Sequence, residues 1–290
     1  MPANLRIATW NVWWRFGDWE RRQELLAEEL RRIDADVVCL QEVHADVGDR
    51  PNPPPGEVTI DVDVDPELDQ AAWLAAACGH RWSATAWRWA HEGMAFGNAI
   101  LSRTPPVDVA AMPLPGGHGQ WEEHRTALAV TLPGRDSFPV VVATTHLNFM
   151  WDQSHARQAQ VAGILEWVAV IRPDGASVVL TGDLNAESHA TEIATLTGAR
   201  EVPRPGLVFQ DAWDARGEHA GHTWSHVNEL TSGQDGGDRR IDYVLLSFAG
   251  HHAGGQVIDV ERIGTVPTDG MHPSDHFGVV ATIEPARPAP

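Results

Sequence analysis

Ser177-Val178-Val179-Leu180 runs straight into Thr181-Gly182-Asp183-Leu184-Asn185-Ala186-Glu187. A short apolar run closed by Gly, Asp and Asn predicts a buried strand that delivers its last side chains into a loop. Asp183 and Asn185 lie two apart, so in extended backbone they point to the same face. A carboxylate and a carboxamide presented together can hold a water, a metal or both, although a plain strand-to-turn junction favours the same residue types. The junction gains meaning only if other strands end in the same way.

Outward from it, a first strand is expected over about residues 5–11. An amphipathic helix follows over about 18–33, with Leu25, Leu26, Leu30 and Ile33 at helical spacing. Asp36-Val37-Val38-Cys39-Leu40-Gln41-Glu42 reads as a second strand ending in a carboxylate. A short helix is expected around 68–77, and a longer one where Val161, Ile164, Leu165, Val168 and Ile171 mark one face. Further strands are expected near 81–89, 98–102, 126–132, 138–146, 241–247, 256–262 and 277–283. Residues 44–70 break into a Pro-rich patch and an acidic alternation, Asp61-Val62-Asp63-Val64-Asp65, read as an exposed insertion. That alternation lacks the glycine turn and terminal glutamate of a calcium-binding helix–loop–helix, so a solvated edge is the expectation. Strands and helices interleave without a linker or a repeat, so residues 1–290 are expected to form a single α/β domain.

Composition narrows the function. Hydrophobic residues make up 43% of the 290, including 13 Trp, enough for a substantial core. The net charge is −19, and all 21 basic residues are Arg. Such a surface repels duplex DNA unless a local basic patch overrides it, and Arg21-Arg22 and Arg239-Arg240 are only pairs. No apolar run approaches the roughly 20 residues of a membrane span. The N-terminus lacks a basic start and an apolar signal region, so a cytoplasmic protein without membrane insertion is expected. Cys39 and Cys78 are expected as two reduced, structural thiols.

Other strand ends do carry polar groups that a core would not want. They present Asn11, Glu42, His146, Asp183 with Asn185, Asp242 and the pair Asp275-His276. In α/β sheets ligands gather at the edge where strands end. Carboxylate and amide oxygens dominate, with no thiolate set and no His-x-x-x-His pair. This chemistry favours Mg²⁺, or Mn²⁺, over zinc.

The ordered motifs TWNV, LQEV, GNAILSR, TTHLN, TGDLNAE, RRIDYVLLS and SDHFGVV, spanning residues 5 to about 284, resemble the endonuclease/exonuclease/phosphatase superfamily. Its branches include exonuclease-III-like repair nucleases, deoxyribonuclease-like enzymes, inositol-polyphosphate phosphatases and sphingomyelinases. The resemblance implies a four-layer α/β sandwich, two packed mixed β-sheets flanked by helices. It implies Asn11, Glu42 and Asp275 at a metal, Asp183 orienting or deprotonating the attacking water, and Asn185 beside it in the phosphate site. Asp242 matches the acid that orients His276, and His146 the second histidine of the deoxyribonuclease, phosphatase and sphingomyelinase branches. The repair-nuclease branch usually carries Tyr in the His146 motif and often an acid where this chain has Trp13.

The activity so implied is metal-dependent hydrolysis of a phosphodiester or phosphomonoester by in-line attack of water. Arg125, Asn148, Trp13, Trp14 and Trp151 are candidate contacts to phosphate or substrate. On charge, the expected partner is a small diester, a nucleotide, a phospholipid headgroup or a single-stranded nucleic acid. Two alternatives stand beside it: a Mg²⁺-dependent endo- or exonuclease on duplex DNA, and a catalytically silent relative serving as a binding module. Leaving group, metal count and oligomeric state rest on loops and surfaces outside these motifs.

Overall fold

Two parallel crossovers organise the chain in the computed structural model, which describes residues 4–116, 124–134, 138–234, 236–250, 252–253 and 255–288. In the first, β1 (Leu5–Asn11) leads through α1 (Trp19–Ile33) to β2 (Val37–Asp46), which pairs parallel to β1. Asp18 caps the start of α1, and Asp34, in the left-handed conformation, ends it. There follow β3 (Thr59–Val62), α2 (Gln70–Cys78), β4 (Trp82–His91), β5 (Met94–Ser102), β6 (Asp108–Pro113) and β7 (Thr126–Leu132). The second crossover runs from β8 (Val140–His146) through α3 (Ser154–Ile171) to a parallel β9 (Ser177–Asp183). The chain closes with α4 (Thr191–Leu196), β10 (Phe209–Asp211), α5 (Ala212–Arg216), a 3-10 turn (Glu229–Thr231), β11 (Asp242–Ser247), β12 (Gln256–Ile263) and β13 (Gly278–Glu284).

Seven strands form one sheet in the order β12-β13-β1-β2-β5-β4-β3, and six form the other, β10-β11-β9-β8-β7-β6. Both are mixed. Between them Ile7, Cys39 and Ile100 of the first sheet meet Val130, Val142, Val179 and Val244 of the second. The outer face of the first sheet is covered by α1 and α2 through Leu26, Leu30, Ile33 and Leu74. The outer face of the second is covered by α3 and α4 through Val161, Ile164, Leu165 and Ile193. The result is helix, sheet, sheet, helix: the expected four-layer sandwich. Each large apolar side chain buried this way contributes about 1.5–3 kcal/mol.

Differences from the sequence reading have local causes. The stretch 44–70 enters the first sheet twice, because β2 continues to Asp46 and β3 pairs with β4 as the outermost strand. Its acidic alternation binds protein groups: Asp61 accepts from Trp87 Nε1 (2.8 Å) and pairs with Arg50, and Asp63 accepts from the Ser83 amide. Strands β6 and β10 and helices α4 and α5 are short and lack a periodic apolar signal. Among the described residues no helix is long and apolar enough to cross a membrane, and both cysteines are free and buried.

Candidate active site

Because β1, β2, β8 and β9 enter in parallel pairs, the ends that carry Asn11, Glu42, His146 and Asp183 lie at one edge of the sandwich. Two backbone features aim these side chains. Pairing of β2 with β5 slips between Gln41 and Val43, leaving Glu42 as a bulge residue at φ +58°. A bulge re-aims one side chain without ending the strand. Gln41 therefore points between the sheets, where it donates to Thr144 Oγ1 (2.8 Å), and Glu42 turns to the edge. In β9, Gly182 has φ +135°, and a Cβ there would lie 1.9 Å from the Thr145 carbonyl oxygen. Only glycine lets β8 and β9 run this close at the residue before Asp183.

Asp183 is the hub. One of its oxygens accepts from the Asn185 amide (2.9 Å), closing a tight turn, while Asn185 sits at φ +49° and donates from Nδ2 to Leu147 O (3.1 Å). The other accepts from Asn11 Nδ2 (3.1 Å), which also donates to Glu42 Oε1 (3.0 Å). His146 Nε2 lies 3.4 Å and His276 Nε2 3.7 Å from that second oxygen. The first sheet thus supplies Asn11, Glu42, Asp275 and His276, and the second supplies His146, Asp183, Asn185 and Asp242.

The two histidines are held in different charge states. Burial pushes His146 well below its ordinary value, and the charges of Arg125 and His276 add to this, so its ring is neutral. Burial acts on His276 too, but Asp242, Asp183 and Asp275 overcome it and raise His276 well above its ordinary value. Its Nδ1 donates to Asp242 Oδ2 at 2.9 Å, which fixes the ring and leaves Nε2 facing the cleft. The carboxyl of Asp183 is raised to about 6, by burial first and then by Asp242. Asp275 is raised to about 7 by burial, with the Glu42 charge also pushing it upward.

Asp183, Asp242 and His276 bring one ligand atom each to within 4.8 Å of one another. This trio is a possible metal site by distance. Its histidine, however, already bridges Asp242 and Asp183 as a cation. The chemistry of the donors instead favours Glu42 and Asp275, with Asn11 beside them: two carboxylates in a partly buried cleft, crowded enough for one to resist ionisation. A hard divalent cation relieves that crowding and prefers such oxygen ligands.

Arg22 locks this edge from behind. Its buried guanidinium donates to the carbonyls of Val12, Trp13, Trp14, Phe16 and Pro273, tying the loop after Asn11 to the turn before Asp275. Ser274 Oγ donates to Asn11 O (2.6 Å) and completes the tie.

Glu42, His146, Asp183, Asn185, Asp275 and His276 open into a cleft of about 360 Å³, which Arg125, Phe149, Trp151, Trp224, Gln234 and Arg239 also line. Trp151 is 62% exposed at its rim. A hollow of about 340 Å³ at the other end of β9 and β11 is lined by residues such as Ser177, Ser247 and His252, with no carboxylate among them. Size does not separate the two; chemistry does.

Three sequence candidates are not brought to this cleft. Asn148 is fully buried, its carboxamide donating to Gln153 Oε1 (2.8 Å) and accepting from Gln160 Nε2 (2.6 Å). It anchors the loop after His146 rather than facing a phosphate. Trp13 packs over the Arg22 guanidinium, 4.8 Å from ring centre to carbon. Trp14 stands edge-on to Phe96, which in turn backs His146. Both tryptophans brace this edge from outside. Arg22, Trp224 and Arg239 carry no sequence signal of their own: strand alternation places Arg240, not Arg239, on the Asp242 side, while it is Arg239 that lines the cleft.

Against known proteins, the family model described as Endonuclease/Exonuclease/phosphatase family matches residues 8–276. Zebrafish (D. rerio) TDP2, solved in complex with a single strand DNA product, superposes with a TM-score of 0.71 at 20% identity, covering 97% of this chain and 99% of that one. An endonuclease/exonuclease/phosphatase from Beutenbergia cavernae superposes with a TM-score of 0.65 at 25% identity, covering 97% and 71%. The human Nocturnin catalytic domain, solved with a bound sulfate anion, gives 0.66 at 20% identity, covering 97% and 94%. No curated protein sequence matches the chain.

Proposed function

The chain belongs to the endonuclease/exonuclease/phosphatase family, and we propose that it hydrolyses a phosphodiester by in-line attack of water, with a divalent cation as cofactor. The observation that carries this reading is Asp183. It is a buried acid raised to about 6, so it is ionised at neutral pH yet a stronger base than an ordinary carboxylate. Within reach it has an orienting amide, a neutral histidine and a charged one.

In this reading Asp183 orients a water and accepts its proton, with Asn185 holding the acid's turn. Glu42 and Asp275, with Asn11 beside them, would hold Mg²⁺ or Mn²⁺, which would supply neutralisation of phosphate charge. Charged His276 donates from Nε2 to a non-bridging oxygen as negative charge builds there, and Asp242 keeps it protonated. Neutral His146 adds a second donor without repelling the metal. Since no side chain at the hub is placed as a nucleophile, water is the attacking group and no covalent enzyme intermediate forms.

The substrate favoured is a small diester, a nucleotide or the end of a single strand. The cleft has aromatic walls at Phe149, Trp151 and Trp224, suited to a base or similar flat group, within a chain of net charge −19. The likeness to a TDP2 solved with a single strand DNA product points the same way. A duplex nuclease needs a wide basic surface, and the arginines at the cleft are two, Arg125 and Arg239.

The test is a substrate panel (chromogenic diester, dinucleotide, single strand, plasmid, inositol phosphate, sphingomyelin) with Mg²⁺, Mn²⁺ or chelator. Divalent-dependent turnover of the small or single-stranded members is expected, and Asp183→Ala is expected to lower it by at least ~10²-fold. Turnover confined to plasmid would overturn the substrate class. Full activity in Asp183→Ala would overturn the mechanism.

A further inference from the structure

Five arginines are largely buried near the site; Arg125 lines the cleft itself, and three of the other four are spoken for. Arg22 gives its donors to five carbonyls. Arg157 donates to Glu192 (2.6 Å) and to the carbonyls of Asn148 and Met150. Arg240 donates to Asp211 (2.6 Å) and Asp214 (2.7 Å), on the face of the chain opposite to its neighbour. Arg239 differs. Its side chain is only 14% exposed, and its buried Nε has no hydrogen-bond partner among the described residues. Its ionic neighbour, Glu187, stands 3.9 Å away. A buried guanidinium nitrogen without a hydrogen-bonded partner is costly, and three neighbours in the same region show how readily this fold supplies one.

What Arg239 does have is a fixed pose over the cleft. Its guanidinium carbon lies 4.2 Å from the centre of the Trp151 ring. Stacking of this kind holds the planar group by its face and leaves the N–H edge free. Gly236 packs against the same indole, where a Cβ would come within 2.9 Å of it. The backbone is fixed as well: Arg239 exchanges hydrogen bonds with Trp224 (2.8 and 3.0 Å), and Trp224 in turn bridges to His276. Two such bridge steps separate the Cα atoms of Arg239 and His276 by about 10 Å. Arg239 and His276 line the same cleft, on either side of Trp224.

Resting on the phosphoesterase reading above, we propose that Arg239 is a catalytic residue whose guanidinium edge, held flat by Trp151, grips the non-bridging oxygens of the scissile phosphate from the second sheet, while His276 and the Glu42–Asp275 acids act from the first. The step it assists is unchanged in bonds made and broken. Arg239 neither gives nor takes a proton, and it stabilises charge that accumulates on oxygen in the transition state.

The test uses the full chain as Arg239→Gln, Arg239→Lys and Trp151→Ala, with bis(4-nitrophenyl) phosphate for turnover and inorganic phosphate for binding. Arg239→Gln is expected to lower kcat/KM by 10²–10³-fold, the loss of one preorganised donor. It should also weaken inorganic phosphate binding in chelator by at least about tenfold, the effect of one charge-assisted contact. Mn²⁺ affinity by calorimetry should stay within threefold. Arg239→Lys keeps the charge without the stacked fork and should recover only part of the loss, and Trp151→Ala should behave like it. Arg239→Gln within threefold of wild type in both readouts overturns the proposal, as does full recovery in Arg239→Lys. If wild type fails to hydrolyse any ester of the panel, the functional reading fails instead, and phosphate binding in chelator still judges Arg239.

Discussion

Replacing Gly182 by alanine tests the claim that the candidate active site depends on how closely β8 and β9 approach. The new Cβ would sit 1.9 Å from the Thr145 carbonyl oxygen, where real Cβ contacts essentially never fall under 3.0 Å. The strands must therefore separate by about 1.1 Å, or the φ of +135° must be abandoned. A non-glycine residue in that region costs about 1–3 kcal/mol. Overpacking between two central strands adds a further 1–3 kcal/mol or so. We expect about 2–6 kcal/mol of destabilisation, which for a domain of this size lowers Tm by at least roughly 4 °C. Thr145 faces Gly182 and His146 faces Asp183, so the shift opens the 3.4 Å approach of His146 to Asp183. A misplacement near 1 Å at reacting groups costs about 10²-fold in kcat. Glu42 and Asp275 belong to the other sheet, so Mn²⁺ affinity should change by less than about threefold. Thermal unfolding, steady-state turnover and Mn²⁺ calorimetry on Gly182→Ala measure all three. A Tm within 1 °C of wild type with undiminished kcat would falsify the close-approach argument.

Two further perturbations separate charge from shape. Asp242→Asn preserves the 2.9 Å contact with His276 but removes the charge that keeps its ring protonated. The expected outcome is a fall in kcat of about 10²-fold or more with KM nearly unchanged, and a change confined to KM would contradict it. His80 tests pH-dependent stability far from the chemistry: burial, with Arg103 adding to it, lowers it from 6.5 to about 4, and its Nε2 contacts Ala35 O at 3.1 Å. Between pH 6.5 and 4 the unfolded chain binds a proton that the native one refuses, so stability falls as pH drops through that window, by roughly 2 kcal/mol at pH 5. His80→Gln should flatten the fall in urea midpoints between pH 7.5 and pH 5, and an unaltered slope would remove His80 from the account.

How much of this was legible depended on which force set each element. Strands β1, β2, β8, β9, β11 and β13 are largely buried and read as mainly apolar runs, and the polar residues at their ends named eight residues that the structure gathers at one edge. Strand β2 was read short because the bulge at Glu42 interrupts alternation where pairing continues, through Val43 to Asp46. Strand β6, Asp-Val-Ala-Ala-Met-Pro, is an edge with one β-branched residue, held by pairing with β7 rather than by its own propensity. Asn148 looked like a phosphate contact because position and residue type agreed with the motif. Its burial depends on Gln153 and Gln160, whose role no local pattern announces. Arg239 went unmarked for the converse reason: a pair of arginines reads as surface until Asp211 and Asp214 claim one of them and Trp151 the other.

The placement of charge explains why the site sits between the sheets and not on either alone. Glu42, Asp183, Asp242 and Asp275 converge at one edge, and the carboxyls of Asp183 and Asp275 are already raised to about 6 and about 7. Within one sheet, neighbouring strand ends would force such acids to share a face with no cation between them. Split across the sandwich, they meet instead over Asn11, whose two N–H groups join Glu42 of one sheet's network to Asp183 of the other. His276 supplies one positive charge at the join, and Arg22 a second from behind. The remaining excess of negative charge faces the open cleft, where the proposed divalent cation would gain most, beside Arg239. The same closure that builds the core between the sheets therefore assembles the chemistry, so mutations that loosen the inter-sheet packing should reduce turnover before they unfold the chain.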